Sequence, residues 1–124
     1  MSISIGIDIA DCARFKESIE RLGDNFLDKI FTSDEKAYCY GQPDPACAFA
    51  LLFALKEATM KAMGVGLRDG ILFKEVEIIE GQEIEIRFLG KALDIINAMG
   101  DIRLHASVAH KDDVAVAVVV IEKI

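Results

Sequence analysis

Isoleucine occupies every second position from Ile3 to Ile9, with Ser4, Gly6 and Asp8 between. A period of two is that of a half-buried β-strand, and the isoleucines are the side expected to face the core, which leaves Asp8 pointing away from it. From Asp11, an N-cap by residue type, Phe15, Ile19 and Leu22 recur at helical spacing until Gly23 stops them. A short helix over Asn25 to Phe31 follows, and Thr32-Ser-Asp-Glu35 has the capping-box spacing that starts a third.

Gly41-Gln-Pro-Asp-Pro45 breaks the chain. Pro45 suits the first turn of a long helix that runs to about Met63 and closes at Gly64. From Ala46 through Leu55 this helix carries no charge on any side, as expected of one surrounded by protein. Lys56, Glu57 and Lys61 then appear together at its inner end. Beyond the loop Gly64-Val-Gly-Leu-Arg-Asp-Gly70, strands are expected near Phe73 to Ile79 and Glu83 to Leu89, and a helix over Lys91 to Met99 that ends at Gly100. Ile102 to His110 and Val114 to Glu122 read as a hairpin closed by Lys111-Asp112-Asp113. The last strand is apolar on both faces, so it belongs in the centre of a sheet or at an interface. With no repeat, linker or low-complexity tract, these elements predict one α+β domain over residues 1–124.

The 124 residues carry 14 basic and 21 acidic side chains, a net charge of −7. No two basic residues are adjacent, so nucleic acid is not an expected partner. The start of the chain has neither a basic segment nor a long apolar stretch, and the longest uncharged window, Pro45 to Leu55, is too short to cross a bilayer. A cytoplasmic protein without membrane contact is expected. Cys12, Cys39 and Cys47 are odd in number and contain no Cys-x-x-Cys pair, which argues against a zinc knuckle or a disulfide framework and for reduced thiols.

Glu57 and Lys61 lie four apart on one helical face, with Lys56 about 100° round the helix. Taken alone they are an ordinary ion pair where a buried helix reaches water. An acid and two bases beside a glycine loop make a site the competing reading. Were the first strand to end beside the long helix, Asp8 and Glu57 would supply two hard oxygen ligands, a sparse set that suits magnesium shared with substrate phosphates. Gly64-x-Gly66 follows a helix where a dinucleotide fingerprint would precede one, so it is no Rossmann signal. Its amides remain a candidate anion nest, with Lys56, Lys61 and Arg68 offsetting the unfavourable helix C-terminus. His105 and His110 point to opposite faces of a regular strand and form no metal site. Ser107 and His110 meet one ligand only if that strand ends or bulges near Ala109.

In order along the chain, Gly6-Ile-Asp8 with Arg14 downstream, Phe31-Thr32 with Glu35, Phe53-Ala-Leu-Lys-Glu-Ala58, Lys61-Ala-Met-Gly-Val-Gly66 and Ser107-Val-Ala-His110 resemble the holo-acyl-carrier-protein synthase family. This is the short bacterial type of 4'-phosphopantetheinyl transferase. The resemblance implies an antiparallel sheet packed on a long buried helix, in a homotrimer with sites at subunit contacts. It implies transfer of phosphopantetheine from coenzyme A to a serine of an apo acyl carrier protein, with release of adenosine 3',5'-bisphosphate and magnesium as cofactor. Asp8 and Glu57 would hold the metal, Glu57 would help deprotonate the serine, and Lys61 would stabilise the transferring group. Lys56, Lys61, Gly64, Gly66, Ser107 and His110 would hold coenzyme A, the last two from a neighbouring subunit. Arg14, Lys16 and Arg21 on the first helix would meet the acidic carrier protein. Leu52 stands where many members have arginine, and Ala109 where many have serine or threonine. Those two positions favour the alternative, a non-catalytic or weakened paralogue that binds a carrier protein.

Overall fold

The computed structural model describes residues 2–124. Strand β1 (Ser2–Asp11) leads into helix α1 (Cys12–Leu22), whose first free amides, those of Ala13 and Arg14, donate to the Asp11 carboxylate. Gly23 takes φ +62° and ends it. A single helical turn, α2 (Asp24–Leu27), precedes α3 (Ser33–Tyr40), which begins with the full capping box of Thr32 and Glu35. Helix α4 (Pro45–Met63) has proline in its first turn, an Asp44 cap on the Cys47 amide, and Gly64 in the left-handed region at its end. No residue of α4 before Lys61 is exposed.

After two 3-10 turns come β2 (Val76–Ile79), β3 (Glu85–Phe88), α5 (Gly90–Ala98), β4 (Ile102–Lys111) and β5 (Val114–Lys123). Strands β2 and β3 form an antiparallel pair; the other three form an antiparallel sheet in the order β1-β5-β4. The doubly apolar last strand is thus the central one, and Asp112, at φ +54°, turns the hairpin beside it. Helix α4 lies across this sheet against β1 and β5, while α1 and α3 pack on it elsewhere. Phe15 links these layers, its ring 5.8 Å from that of Phe26 and 5.3 Å from that of Phe53.

Two expectations are overturned. The isoleucine side of β1 is not the core side: Ile3, Ile5, Ile7 and Ile9 are 53–66% exposed, and Ser4, Gly6, Asp8 and Ala10 face α4. The cause is steric. A Cβ built on Gly6 would lie 1.8 Å from the Ala58 carbonyl oxygen, so only a small-residue face lets the helix come this close. The Ser4 hydroxyl then donates to the Ala62 carbonyl at 2.7 Å. The cysteines also differ from expectation. Cys12 and Cys47, 35 positions apart, are joined by a disulfide that ties the start of α1 to the first turn of α4. Packing brings together here what no local motif announces. Cys39 is free, and burial pushes its thiol pKa up to about 12.

Candidate active site

The close approach of β1 to α4 carries Asp8 to the charged end of the helix. Lys61 Nζ donates to Asp8 Oδ1 at 3.0 Å and to the Ile7 carbonyl at 2.9 Å, tying strand to helix. Glu57, one turn earlier, is partly buried. Burial holds its carboxyl above the usual carboxylate range, the negative charge of Asp8 pushes the same way, and Lys61 pulls back. Two carboxylates brought within each other's field, only one of them paired with a lysine, form an electrostatically strained pair that a divalent cation relieves. Their hard oxygen donors, few in number and open to solvent through Lys61, fit magnesium completed by water and phosphate. A depression of ≈ 320 Å³ is lined by Ile9, Arg14, Phe15 and Phe53 among others. It lies between the end of β1, α1 and α4, next in sequence to Asp8.

Lys56 is not part of this site, contrary to its assignment as a coenzyme A contact. Its ammonium is fully buried 2.9 Å from Glu35 Oε1 and donates to the carbonyls of Phe73 (3.0 Å) and Val76 (2.7 Å). Glu35 in turn accepts from the amides of Thr32 and Ile78. Every polar atom of the pair is used, so Lys56 clamps α4 to α3 and β2 and has no donor left for a ligand. Burial pushes its pKa down and Glu35 pulls it back up.

The glycine loop is no amide nest either. The Gly64 amide donates to the end of α4, and the Gly66 amide to Asp69 Oδ2 at 2.8 Å. What Gly66 offers is room, since a Cβ there would meet nothing within 4 Å.

Strand β4 stays regular through Lys111, so Ser107 and His110 point to opposite faces, with no bulge to unite them. Ser107 is in register with Ile7 across β5, on the outer face away from α4; His110 is in register with Ala10 on the inner face. Each lies two strands, about 10 Å, from β1. Within one chain neither joins Asp8 and Glu57. Arg14, Lys16 and Arg21 are all exposed, but Arg14 and Arg21, seven apart, share one side of α1 and Lys16 flanks the buried Phe15 on the other. Leu52 is a core residue. Ser4, whose hydroxyl pins β1 to α4, carries no local signal that distinguishes it from an ordinary strand residue, and Phe53, which heads the Phe53-Ala-Leu-Lys-Glu-Ala58 stretch, walls the depression.

Comparison with known proteins identifies the family and agrees with the fold. The model of the 4'-phosphopantetheinyl transferase superfamily matches residues 4–119. A holo-[acyl-carrier-protein] synthase of Koribacter versatilis is 40% identical over 124 residues, covering 98% of this chain and 99% of that protein. The crystal structure of the Neisseria meningitidis synthase is 30% identical with a TM-score of 0.85, over 97% of this chain and 98% of the other. The Helicobacter pylori synthase, solved with coenzyme A, is 31% identical with a TM-score of 0.80, over 95% and 99% of the two chains. Each aligns over nearly its whole length, and the antiparallel α+β architecture is common to all. The chain belongs to the holo-[acyl-carrier-protein] synthase family of the 4'-phosphopantetheinyl transferase superfamily.

Proposed function

We propose that this single domain is a magnesium-dependent holo-[acyl-carrier-protein] synthase of the cytoplasm. It moves 4'-phosphopantetheine from coenzyme A to a serine hydroxyl of an apo acyl carrier protein and releases adenosine 3',5'-bisphosphate. The observation that carries the proposal is the seating of Gly6 on α4, which brings Asp8 to Glu57 and Lys61. Asp8 and Glu57 hold magnesium, which when bound supplies Lewis-acid polarisation of the pyrophosphate. Glu57, whose affinity for a proton is already raised, takes the serine proton directly or through one water. Lys61 is anchored by Asp8 and the Ile7 carbonyl yet about half exposed, so it meets developing negative charge on the transferring phosphoryl group without first being ordered. Gly66 leaves space for coenzyme A beside Gly64. Arg14, on the wall of the depression, and Arg21, on the same side of α1, face an acidic carrier protein.

Incubation with coenzyme A, magnesium and an apo carrier protein is expected to add one phosphopantetheine, read by intact-protein mass. Asp8→Asn and Glu57→Gln are each expected to lower turnover by roughly a hundredfold or more while leaving the circular dichroism spectrum unchanged. Full turnover in either variant removes that residue from the site. Leu52 and Ala109 favour the second reading, a paralogue that binds the carrier without chemistry. Calorimetry separates the two, because only the enzyme binds coenzyme A with magnesium.

A homotrimer is part of the same proposal. The outer face of the sheet sets Ile5, Ile7 and Ile9 beside Val120, Val118 and Val116, an apolar surface of the kind that marks an interface. A neighbouring chain on that face would bring Ser107, which shares it, to a site it does not reach within its own chain, while His110 stays on the inner face. Sedimentation of the wild type is expected to give three times the monomer mass. Ile5→Glu, which puts a charge into this face, is expected to give monomers without transferase activity. A monomeric wild type would refute the assembly.

A further inference from the structure

Three element ends meet at a second place in the molecule. Strand β1 hands over to α1 at Cys12, whose amide donates to the Asp113 carbonyl of the hairpin at 2.7 Å. Cys47 lies in the first turn of α4, its amide capped by Asp44. His110, near the end of β4, faces the same side of the sheet. The sulfurs of Cys12 and Cys47 and a ring nitrogen of His110 all lie within 4.8 Å of one another. Both cysteines are buried, the imidazole is exposed, and among the described residues none hydrogen-bonds to its ring. A cleft of ≈ 690 Å³ lined by Cys12, Tyr40, Asp44 and Asp113 opens onto the cluster and offers a way in.

Two sulfurs and an imidazole form a soft to borderline donor set, unlike the two carboxylates of the proposed active site. It suits a tetrahedral cation that takes three protein ligands and one water. Both thiols also sit in first turns of helices, 11 and 19 residues long, whose free amides favour the thiolate. A disulfide has no thiolate to offer, so such a site belongs to the reduced protein, the state expected wherever glutathione keeps thiols reduced.

We propose that Cys12, Cys47 and His110, with both cysteines reduced, bind one thiophilic divalent cation of the zinc class, and that closing the disulfide abolishes the site. The steps balance. A dithiol reductant cleaves the Cys12–Cys47 bond, becoming a cyclic disulfide itself and passing two protons to the freed sulfurs. The cation then displaces those two protons as two metal–sulfur bonds form, and neutral His110 donates its lone pair with no change in the oxidation state of the metal.

The test needs no coenzyme A and stands apart from the transferase proposal. Protein reduced with dithiothreitol and desalted anaerobically into metal-free buffer is titrated with cobalt(II). A thiolate-to-cobalt charge-transfer band that saturates at one equivalent and is bleached by one equivalent of zinc is expected. Cys12→Ser and Cys47→Ser each lose the band, His110→Ala loses the one-equivalent end-point, Cys39→Ser keeps both, and the disulfide form shows no band. A reduced wild type without the band, or a band that survives Cys12→Ser or Cys47→Ser, overturns the proposal. Cobalt bound with only the weak spectrum of oxygen ligands does so too. A second readout needs no variant: zinc is expected to protect the two reduced cysteines of the wild type from iodoacetamide, counted by mass. Alkylation at an unchanged rate refutes the site.

Discussion

Lys56→Met is expected to lower the stability of the fold by about 3–5 kcal/mol, the usual cost of removing one partner from a buried ion pair. Methionine follows the lysine stem closely, so the loss comes from charge and hydrogen bonding and little of it from a cavity. Glu35 would be left fully buried without its cation, and the carbonyls of Phe73 and Val76 without a donor. Each orphaned carbonyl costs about 1–3 kcal/mol when buried, which places the expected loss at the upper end. For a chain of 124 residues the melting temperature should fall by roughly 10–20 °C. The double variant Glu35→Gln with Lys56→Met should recover part of this. It removes the stranded charge, and the amide oxygen can still accept from Thr32 or Ile78. A coenzyme A contact predicts the reverse: a raised KM for coenzyme A in Lys56→Met with an unchanged melting curve. Thermal melting beside steady-state kinetics distinguishes the two, and an unchanged melt would return Lys56 to the binding site.

The lysine shows where sequence reasoning reaches its limit. Helical spacing separates Lys56 from Glu57 by about 100°, and the structure turns them to different surroundings, one onto Glu35 and one toward Asp8. Spacing alone does not say which direction is solvent. The uncharged run from Ala46 to Leu55 was the available warning, since a charge one residue beyond it is still inside the same packed layer. Glu35 was visible as a capping residue, and its second oxygen, on Ile78, depends on a strand 43 positions away. Helix limits were legible because caps are local: Asp11, Thr32 with Glu35, Pro45 and Gly64 each act within one turn. The face of β1 was not. Period two says that the two sides of a strand differ, and the usual inference that the apolar side is buried fails where a small-residue side must admit a helix. The same packing hid the Cys12–Cys47 pair, which is local in space alone.

Gly6→Ala is expected to be the most damaging single-methyl change in the protein. Its new Cβ would meet the Ala58 carbonyl oxygen at 1.8 Å, with the Ala58 carbonyl carbon and the Ala62 amide nitrogen both at 2.8 Å. All three are backbone atoms in the C-terminal half of the buried helix α4, so no side chain can swing aside. Ordinary contacts of a Cβ begin near 3 Å, and β1 must therefore withdraw from α4 by more than an ångström. Overpacking of a core costs about 1–3 kcal/mol when side chains can adjust, and here the cost should reach or exceed that range. Chemistry should suffer more than stability. The withdrawal that relieves Gly6 also breaks the Ser4–Ala62 hydrogen bond and draws Asp8 off Lys61 and Glu57, and a misplacement of about 1 Å in reacting groups can cost a hundredfold in rate. Any folded Gly6→Ala protein should thus melt well below the wild type and have lost nearly all transferase activity. Gly100→Ala is the control: its Cβ has open space and only the φ of +82° opposes it, so a cost of about 1 kcal/mol is expected. A Gly6→Ala variant as stable and active as Gly100→Ala would mean that β1 does not rest on α4, and the route by which Asp8 reaches Glu57 would fall with it.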